Sequence, residues 1–348
     1  MIANSHLYQE IHEQPAVVGR FLQQSDKIVR QLAAAIKQQN ITHVVIAARG
    51  TSDNAGRYAQ YLFGAYNRLT VALATPSLFT LYNQPPKFGN ALVLGISQSG
   101  KSPDIVAVLA EARCQGNLTA AITNETESPL AAEADFVIDL CAGDEFAVAA
   151  TKTYTAELAA IALLSCHMAK DNGRLDRLKG LPDAMSATLS LAGPVSLAAP
   201  RYRYMEHCVV IGRGFNYATA FEIALKMKEL TYTIVEPYSS ADFLHGPLAL
   251  IQNGFPVIVV APSGKLTQDF RDFTKQLNER GAETIIISDD AETLGLARIP
   301  FKLPFVLPEW LSPFTAIIPG QLLALYLADA RDLDVDTPRN IRKVTETT

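Results

Sequence analysis

Three residues in the second half of the sequence have side chains suited to acid–base chemistry. Lys226 and Glu229 lie three positions apart in a segment that predicts a helix, so both side chains point to one helix face. His245 precedes Gly246 and Pro247, which predict a turn from which the imidazole can project. A surface ion pair and a structural histidine are the ordinary interpretations. The small and apolar residues around Lys226 favour a buried, functional pair instead.

A hydroxyl-rich loop indicates a second kind of chemistry. Residues 97–102 read Ser-Gln-Ser-Gly-Lys-Ser and lie between an apolar strand and a helix that begins near Pro103. Hydroxyl groups, backbone N–H groups and the positive end of a helix dipole together favour a dianion such as phosphate. Helix capping would explain this cluster or the one at residues 51–54 alone, but two clusters at neighbouring strand ends favour phosphate binding. The predicted phosphate ligands are Thr51, Ser52, Ser97, Gln98, Ser99 and Ser102.

The same loop also fits a nucleotide-binding pattern, G-x-x-x-x-G-K-[ST], from Gly95 to Ser102. We interpret this match as accidental, because Gly95 is expected inside the strand and Pro103 follows the pattern directly. An NTPase remains a minor alternative. An NTPase would bind Mg-ATP and would lose this binding in the Lys101→Ala variant.

Three pairs of segments in the sequence are related by a shared offset of about 165 residues. Each member of a pair is an apolar, strand-like run. In the first two pairs, a turn that contains glycine follows the run. A shared offset over three segments indicates two copies of one domain. The pairs are 44–50 with 209–214, 92–101 with 257–265, and 119–124 with 284–289.

Apolar strands alternate with helix-like segments along most of the chain. This alternation indicates parallel sheets that are covered by helices on both faces. Strands are predicted near 43–48, 70–74, 91–96, 119–123, 136–140, 207–212, 233–236, 256–261, 283–288 and 301–303. Helices are predicted near 54–66, 103–115, 152–169, 183–198, 216–229, 267–280 and 314–331.

The predicted fold class is α/β, with two tandem, doubly wound parallel-sheet domains of three αβα layers, an N-terminal helix and a C-terminal tail. The N-terminal helix is expected to open near Pro15, and the polar segment 171–182 is expected to be a linker. The predicted boundaries are 1–39 for the N-terminal helical segment, 40–175 for the phosphate-binding domain, 183–331 for the domain with the catalytic helix and histidine loop, and 332–348 for a tail that closes on the active site.

The composition restricts the partners and the compartment. A net charge of −5 without a basic run argues against nucleic acid. The four cysteines lack metal-ligand spacing, so we predict neither a metal nor a disulfide. The polar N-terminus does not resemble a signal peptide, and Pro319 and Gly320 interrupt the longest apolar stretch. We therefore predict a cytoplasmic protein without membrane contact.

Six motifs, in order and at similar spacing, resemble the sugar isomerase (SIS) family. They are similar to the isomerase half of glucosamine-6-phosphate synthases, from about residue 8 to Thr345. The motifs are Gly50-Thr51-Ser52, Ser97-Gln98-Ser99-Gly100, Ala149-Ala150-Thr151-Lys152, Ala224 to Glu229, His245 to Leu250, and Asp334 to Asn340.

This resemblance implies roles for individual residues and no cofactor. Glu229 would be the base that moves a proton between C1 and C2 of a hexose 6-phosphate, with Lys226 assisting near the same hydroxyls. His245 would open the sugar ring and would be donated by the neighbouring subunit of a homodimer. Lys343 would form a Schiff base with the open ketose. The phosphate would be bound by the hydroxyl and amide residues predicted above.

The departures from the family pattern determine the expected reaction. Arg49 stands where the synthase has a cysteine, Ala150 replaces a serine, and Leu244 replaces a lysine. Arg49, Ala149 and Ala150 are further candidates for substrate contact. The glutaminase half and its N-terminal cysteine are not in the sequence, and residues 343–347 look more like those of stand-alone deaminase-like members. We therefore expect conversion of glucosamine 6-phosphate to fructose 6-phosphate and ammonia.

Besides an NTPase, three alternatives remain open. The protein could synthesise glucosamine 6-phosphate, with ammonia or a glutaminase supplied in trans. It could instead deglycate another 6-phosphosugar amine. It could also be a non-catalytic sugar-phosphate sensor, although a sensor needs only the phosphate loop, and Lys226, Glu229 and His245 together favour an enzyme.

Overall fold

A computed structural model describes residues 2–343 of the chain. It divides into two compact units. Among the described residues, the unit that we call the first contains Glu13–Glu145, Ala150–Pro182, Arg342 and Lys343. The second contains residues 2–12, Phe146–Ala149 and Asp183–Ile341. The predicted domain boundaries remain predictions, and the part of the predicted tail that follows Lys343 lies outside the described residues.

The N-terminal segment forms two helices, α1 (His6–Gln24) and α2 (Asp26–Gln38), after a short 3₁₀ turn at Ile2–Asn4. Pro15 lies inside α1, so the prediction that it opens the helix was wrong. A proline inside a helix removes one hydrogen bond. Nearby apolar side chains, including Val18 and Phe21, are fully buried, and their burial offsets that loss.

The first unit is built on a five-stranded parallel sheet with the strand order β2-β1-β3-β4-β5. Its carboxyl strand ends therefore lie at one edge. The segment 171–182, which was predicted to be a linker, contains a helix, α8 (Asn172–Lys179), so that prediction was wrong. The elements are β1 (His43–Ala47), α3 (Gly50–Asn67), β2 (Thr70–Leu73), α4 (Ser77–Thr80), β3 (Ala91–Ile96), α5 (Pro103–Cys114), β4 (Leu118–Thr123), α6 (Pro129–Ala132), β5 (Phe136–Asp139), α7 (Lys152–Ala169) and α8 (Asn172–Lys179).

The second unit repeats this arrangement, with the order β7-β6-β8-β9-β10 when the sheet is read from β7. The helix predicted at 183–198 is instead divided by a 3₁₀ turn at Leu189–Leu191. The elements are α9 (Leu181–Thr188), α10 (Ala192–Ala198), β6 (His207–Ile211), α11 (Tyr217–Thr231), β7 (Ile234–Tyr238), α12 (Ser240–Leu244), β8 (Pro256–Val260), α13 (Thr267–Glu279), β9 (Glu283–Ser288), α14 (Ala291–Leu294), β10 (Ile299–Lys302) and α15 (Ser312–Ala330).

The central strands are buried, as their continuous apolar sequences predict. Every residue of β3, β4, β8 and β9 is buried. In the first unit, Val93 of β3 belongs to a core with Val108 and Leu109 of α5. In the second, Val257 of β8 belongs to a core with Phe270 and Phe273 of α13. Two parallel sheets with helices around them confirm the predicted α/β class.

Helix α15 is a long and strongly apolar helix of the second unit. By length and composition it could cross a membrane, but 83% of the relevant window is buried inside the protein, which is typical of a core helix. The helix continues through Pro319 and Gly320, in agreement with the single helix predicted near 314–331. Helix α15 packs against α11, the helix predicted to be catalytic.

A glycine allows the close approach of these two helices. A Cβ atom at Gly320 would lie 2.4 Å from Cγ1 of Ile223 on α11, far inside van der Waals contact. The packing of α15 therefore fixes the position of α11. Gly193 on α10, by contrast, has no atom within 4 Å of its Cβ position.

We expect Gly320→Ala to lower the free energy of unfolding by about 1–3 kcal/mol, because the added methyl group overpacks the α11–α15 contact. Chemical denaturation followed by circular dichroism measures this change. Gly193→Ala is the matched control, and it should be neutral or stabilise the protein by up to about 1 kcal/mol. Equal effects of the two substitutions would contradict the proposed packing constraint.

Candidate active site

Three ionisable side chains lie close together on one face of α11. Nζ of Lys226 lies 2.6 Å from Oε2 of Glu229 and 3.4 Å from Oε1 of Glu222. Glu222 and Glu229 lie four residues before and three residues after the lysine, so all three share a helix face. Lys226 and Glu229 were predicted from the sequence, whereas Glu222 was not. The i,i+4 spacing was the signal that could have identified it.

Two of the three side chains in this cluster are almost completely buried. The side chains of Glu222 and Lys226 are 0% and 1% exposed, whereas Glu229 is 23% exposed. Burial of a lysine is costly unless carboxylates compensate its charge. Glu229 is therefore the member of the cluster that can reach a bound molecule. The buried ammonium group of Lys226 holds the Glu229 carboxylate in place.

His245 lies on the surface of the second unit, directly after α12. The segment between β7 and β8 contains α12 before His245 and a 3₁₀ turn at Pro247–Leu250 after it. Two exposed apolar side chains, Leu244 and Leu250, are 46% and 50% exposed in the same segment. The imidazole is accessible for proton transfer, as predicted from the turn.

The hydroxyl-rich loop of the first unit lies at the carboxyl end of β3. The hydroxyl oxygen of Ser97 accepts a hydrogen bond from the Gly100 N–H at 3.2 Å, and that of Ser99 accepts one from the Lys101 N–H at 3.3 Å. An accepting hydroxyl still has a proton that it can donate to a phosphate. Gly100 has a φ of +60°, and a Cβ there would lie 2.1 Å from Oγ of Ser128, so only glycine fits.

Ser102 is the residue for which helix capping was the competing explanation. It occupies the N-cap of α5, but its side chain makes no capping hydrogen bond. The side chain of Gln98, in the same loop, is half-buried. Gly95 lies inside β3, as expected if the match to the nucleotide-binding pattern is accidental.

The second predicted cluster, after β1, lies inside a helix rather than before one. Helix α3 begins at Gly50, so Thr51 and Ser52 are in its first turn. The Ser52 hydroxyl is buried and donates to Oε1 of Glu157 at 2.7 Å. This hydrogen bond holds the first turn of α3 in place. Contact of Ser52 with phosphate remains a prediction.

A salt bridge joins the turn after β1 to helix α5, which follows the loop after β3. Nε of Arg49, at the end of β1, lies 2.8 Å from Oδ2 of Asp104 in the first turn of α5. Asp104 is 1% exposed, whereas Arg49 is 53% exposed. The buried carboxylate therefore orients Arg49, which remains accessible to an anion. The sequence analysis did not identify Asp104.

Lys343 forms an ion pair with a buried carboxylate of the first unit. Its Nζ lies 2.7 Å from Oε2 of Glu145, whose side chain is 0% exposed. Oε1 of Glu145 also accepts hydrogen bonds from the N–H groups of Thr151 and Thr153 at 2.9 and 3.1 Å. Burial raises the pKa of Glu145, but Lys343 and these donors outweigh it, so the pKa lies below its usual range. Sequence reasoning missed Glu145.

The remaining candidates lie just before α7. Ala149 is buried and Ala150 half-buried, and each offers only backbone groups and a methyl group. Thr151, the next residue, was not predicted. Its hydroxyl is buried and has no hydrogen-bond partner among the described residues. Residues 2–343 contain no group of three or more His, Cys, Asp or Glu side chains that could hold a metal ion.

Several curated relatives of this chain are named as enzymes that act on fructose 6-phosphate. Glutamine–fructose-6-phosphate aminotransferase [isomerizing] from Zymomonas mobilis is 35% identical over 353 residues, which cover 97% of this chain and 58% of that protein. The chain thus spans a little more than half the length of the curated relatives that it matches.

Solved structures agree with the fold. The C-terminal domain of glucosamine-fructose-6-phosphate aminotransferase from Francisella tularensis superposes with a TM-score of 0.86 at 28% identity, over 96% of this chain and 98% of that one. Glucosamine-6-phosphate deaminase from Thermotoga maritima has a TM-score of 0.80 at 22% identity, over 99% and 100% of the two chains, and supports the fold alone. The SIS domain model matches residues 36–166 and 203–328. These matches confirm the predicted resemblance: the chain belongs to the SIS family and contains two SIS domains.

Proposed function

We propose that this protein interconverts glucosamine 6-phosphate and water with fructose 6-phosphate and ammonia. A catalyst accelerates both directions of a reaction. Supplied with glucosamine 6-phosphate and no ammonia, the protein therefore acts as a deaminase. The enzyme class, a sugar-phosphate isomerase, agrees with the names of its relatives.

The buried cluster on α11 is the observation that carries this proposal. A protein that only binds a sugar phosphate has no use for a lysine that is 1% exposed between two carboxylates, because such burial costs free energy. A base that removes a proton from carbon needs a fixed carboxylate with one accessible side. Glu229 has this arrangement, which favours an enzyme over a sensor.

The proposed chemistry balances without an oxidant or a cofactor. His245 transfers the proton of the C1 hydroxyl to the ring oxygen, which opens the sugar to its aldehyde. Glu229 removes the proton from C2 and returns it to C1, while one proton of the amine moves to the C1 oxygen, so the amino aldehyde becomes a 2-imino sugar with a C1 hydroxyl group. Water then adds to C2, the C2–N bond breaks, and the nitrogen leaves as ammonia. The product is fructose 6-phosphate.

The phosphate is proposed to bind at the loop after β3. Donors for a dianion are provided by the hydroxyl groups of Ser97, Ser99 and Ser102, the last of which makes no capping hydrogen bond. The guanidinium of Arg49, which is oriented by its salt bridge, is a further donor. Binding energy from the phosphate holds the reacting carbons in place and so contributes to catalysis at a distance.

Lys343 is proposed to form a Schiff base with the open ketose. An ammonium group has no lone pair with which to attack a carbonyl, so the lysine must first lose its proton. In the structure, Lys343 instead forms an ion pair with Glu145. We therefore assign this contact to the resting state, in which Glu145 holds the tail residue on the first unit.

A homodimer in which His245 serves the neighbouring subunit is also proposed. His245 and the neighbouring apolar side chains Leu244 and Leu250 are exposed in the single chain. Such a surface is suited to contact with another subunit. A cytoplasmic location likewise remains a proposal.

The synthetic direction is the alternative within the same reaction class. It uses the same residues in reverse, with ammonia as the nitrogen donor. Incubation with fructose 6-phosphate and an ammonium salt would measure it. Release of ammonia from other 6-phosphosugar amines would identify a deglycating enzyme.

We expect the protein to release ammonia from glucosamine 6-phosphate, and Glu229→Gln to lower kcat by about 10²- to 10⁴-fold, because an amide cannot accept the C2 proton. A coupled assay for ammonia measures the rate. Glu279→Gln removes an exposed carboxylate of the same unit and should leave kcat unchanged. A wild-type protein that releases no ammonia and forms no glucosamine 6-phosphate would refute the proposed function.

We expect Ser102→Ala to raise KM roughly tenfold or more with little change in stability, because its hydroxyl binds phosphate and caps no helix. Steady-state kinetics and thermal unfolding measure both quantities. Asp171→Ala is the control, since Asp171 caps α8 through the Arg174 N–H. It should cost about 1 kcal/mol of stability and leave KM unchanged. The reverse pattern would assign Ser102 a structural role.

We expect Glu145→Gln to lower the free energy of unfolding at pH 7 by about 1–3 kcal/mol, because the ion pair to Lys343 is lost. The folded-state pKa of Glu145 is lowered. Its contribution is therefore fully present above the ordinary carboxyl pKa and lost as the pH falls through the lower folded value. Wild type and variant should thus converge in acid. Glu133→Gln, in an exposed pair with Arg113, should cost at most about 1 kcal/mol. A constant difference at all pH values would contradict the assignment.

A further inference from the structure

The second unit contains a counterpart of the proposed phosphate loop. The two sheets have the same strand order, in which β8 takes the place of β3. An offset of 164 residues relates Arg49 to Arg213, and the tripeptide Ser99-Gly100-Lys101 to Ser263-Gly264-Lys265. The chain thus has a second loop of similar sequence at an equivalent strand end.

The second loop has lost most of the hydroxyl groups that are proposed to bind phosphate in the first loop. At the same offset, Phe215 replaces Thr51, Ala261 replaces Ser97, and Leu266 replaces Ser102, whereas Ser263 keeps the hydroxyl group of Ser99. The positively charged residues Arg213 and Lys265 are also kept. The electrostatic attraction for an anion is therefore retained, although three of the hydroxyl donors are gone.

The backbone N–H groups of the second loop are occupied by side chains of the same unit. The Lys265 N–H donates to Oε1 of Glu309 at 2.7 Å, and the Ser263 N–H donates to Oδ1 of Asp289 at 2.6 Å. Between them, the Gly264 N–H donates to Oγ1 of Thr267 at 2.8 Å. In the first loop, the corresponding N–H groups of Gly100 and Lys101 donate to neutral serine hydroxyls at 3.2 and 3.3 Å, which are weaker acceptors than carboxylates.

Glu309 covers the second loop. A Cβ atom at Gly264 would lie 2.1 Å from Oε1 and 2.2 Å from Cδ of Glu309, so the glycine is needed for the carboxylate to approach. A cavity of about 220 Å³ adjoins this contact. Its lining includes Arg213, Lys265, Phe270 and Glu309. Arg213 also lies 3.4 Å from Oδ2 of Asp269 at the surface.

We propose that the carboxylate of Glu309 is a built-in substitute for the phosphate monoester in the second SIS domain, and that it closes a latent anion site there. The proposal rests on the proposed phosphate role of the first loop. It explains why the loop and its positive charges are kept although most of the hydroxyl donors are missing. It also limits the chain to one phosphosugar, because the second loop already holds a carboxylate.

Removal of Glu309 should open this site to inorganic phosphate. Isothermal titration of the full chain with phosphate, at constant ionic strength set with chloride, measures the number of sites. We expect Glu309→Ala to bind one phosphate per chain more than wild type. In phosphate-free buffer, its thermal midpoint should be lower by about 2–4 °C, and phosphate should restore it.

Two further variants locate the new site. Glu309→Gln keeps the volume and an oxygen that accepts from Lys265, so it should gain no phosphate. Glu309→Ala with Arg213→Gln removes a cation of the cavity and should lose the added site. A folded Glu309→Ala protein with unchanged phosphate stoichiometry would overturn the proposal. So would an added site that persists without Arg213.

If Glu309→Ala does not fold in chloride, its refolding in phosphate gives the answer. Recovery that depends on phosphate supports the built-in anion, and failure in both salts overturns it. The ammonia assay on wild-type protein tests the proposed function separately. The gain in stoichiometry is a difference between variant and wild type and requires no turnover.

Discussion

Parallel pairing of the strands is the constraint on which the rest of this structure depends. Each parallel strand needs a crossover to the next, so helices must cover the sheets, and all carboxyl strand ends meet at one edge. In the first unit, this edge places the turn after β1 beside the loop after β3, where Arg49 and Asp104 form their salt bridge. In the second, the turn after β6 leads into α11, which carries the buried Lys226. The polar chemistry of both units follows from this geometry.

Buried charge distinguishes the candidate functional residues from ordinary surface pairs. Lys226, Asp104 and Glu145 are almost fully buried, and each has a partner of opposite charge that is more exposed. Isolated charges in these positions would be very unfavourable. In each case, the buried group orients the accessible one, and the accessible group is the one proposed to meet substrate. For Arg49 and Lys343, the sequence suggested the accessible residue, whereas the buried partners Asp104 and Glu145 were missed.

The two SIS domains keep one backbone plan and differ in what occupies the loop after the third strand. The first loop offers serine hydroxyls, whereas the second is capped by the carboxylate of Glu309. A duplicated fold therefore does not imply a duplicated site. A few side chains at the strand ends can convert a ligand-binding loop into a structural one, while the apolar strands that form the sheets are retained.

The sequence by itself determined the class of fold, the duplication and most element positions. Those signals are local: apolar runs, glycine turns and helical spacing. Errors occurred where tertiary burial outweighed local preference, as for Pro15 inside α1 and for α8 in the expected linker. Only the tertiary structure revealed that Glu145 binds Lys343 and that Glu309 covers Gly264. These partners lie 198 and 45 positions apart in the chain, and contacts over such distances depend on packing, which no local pattern records.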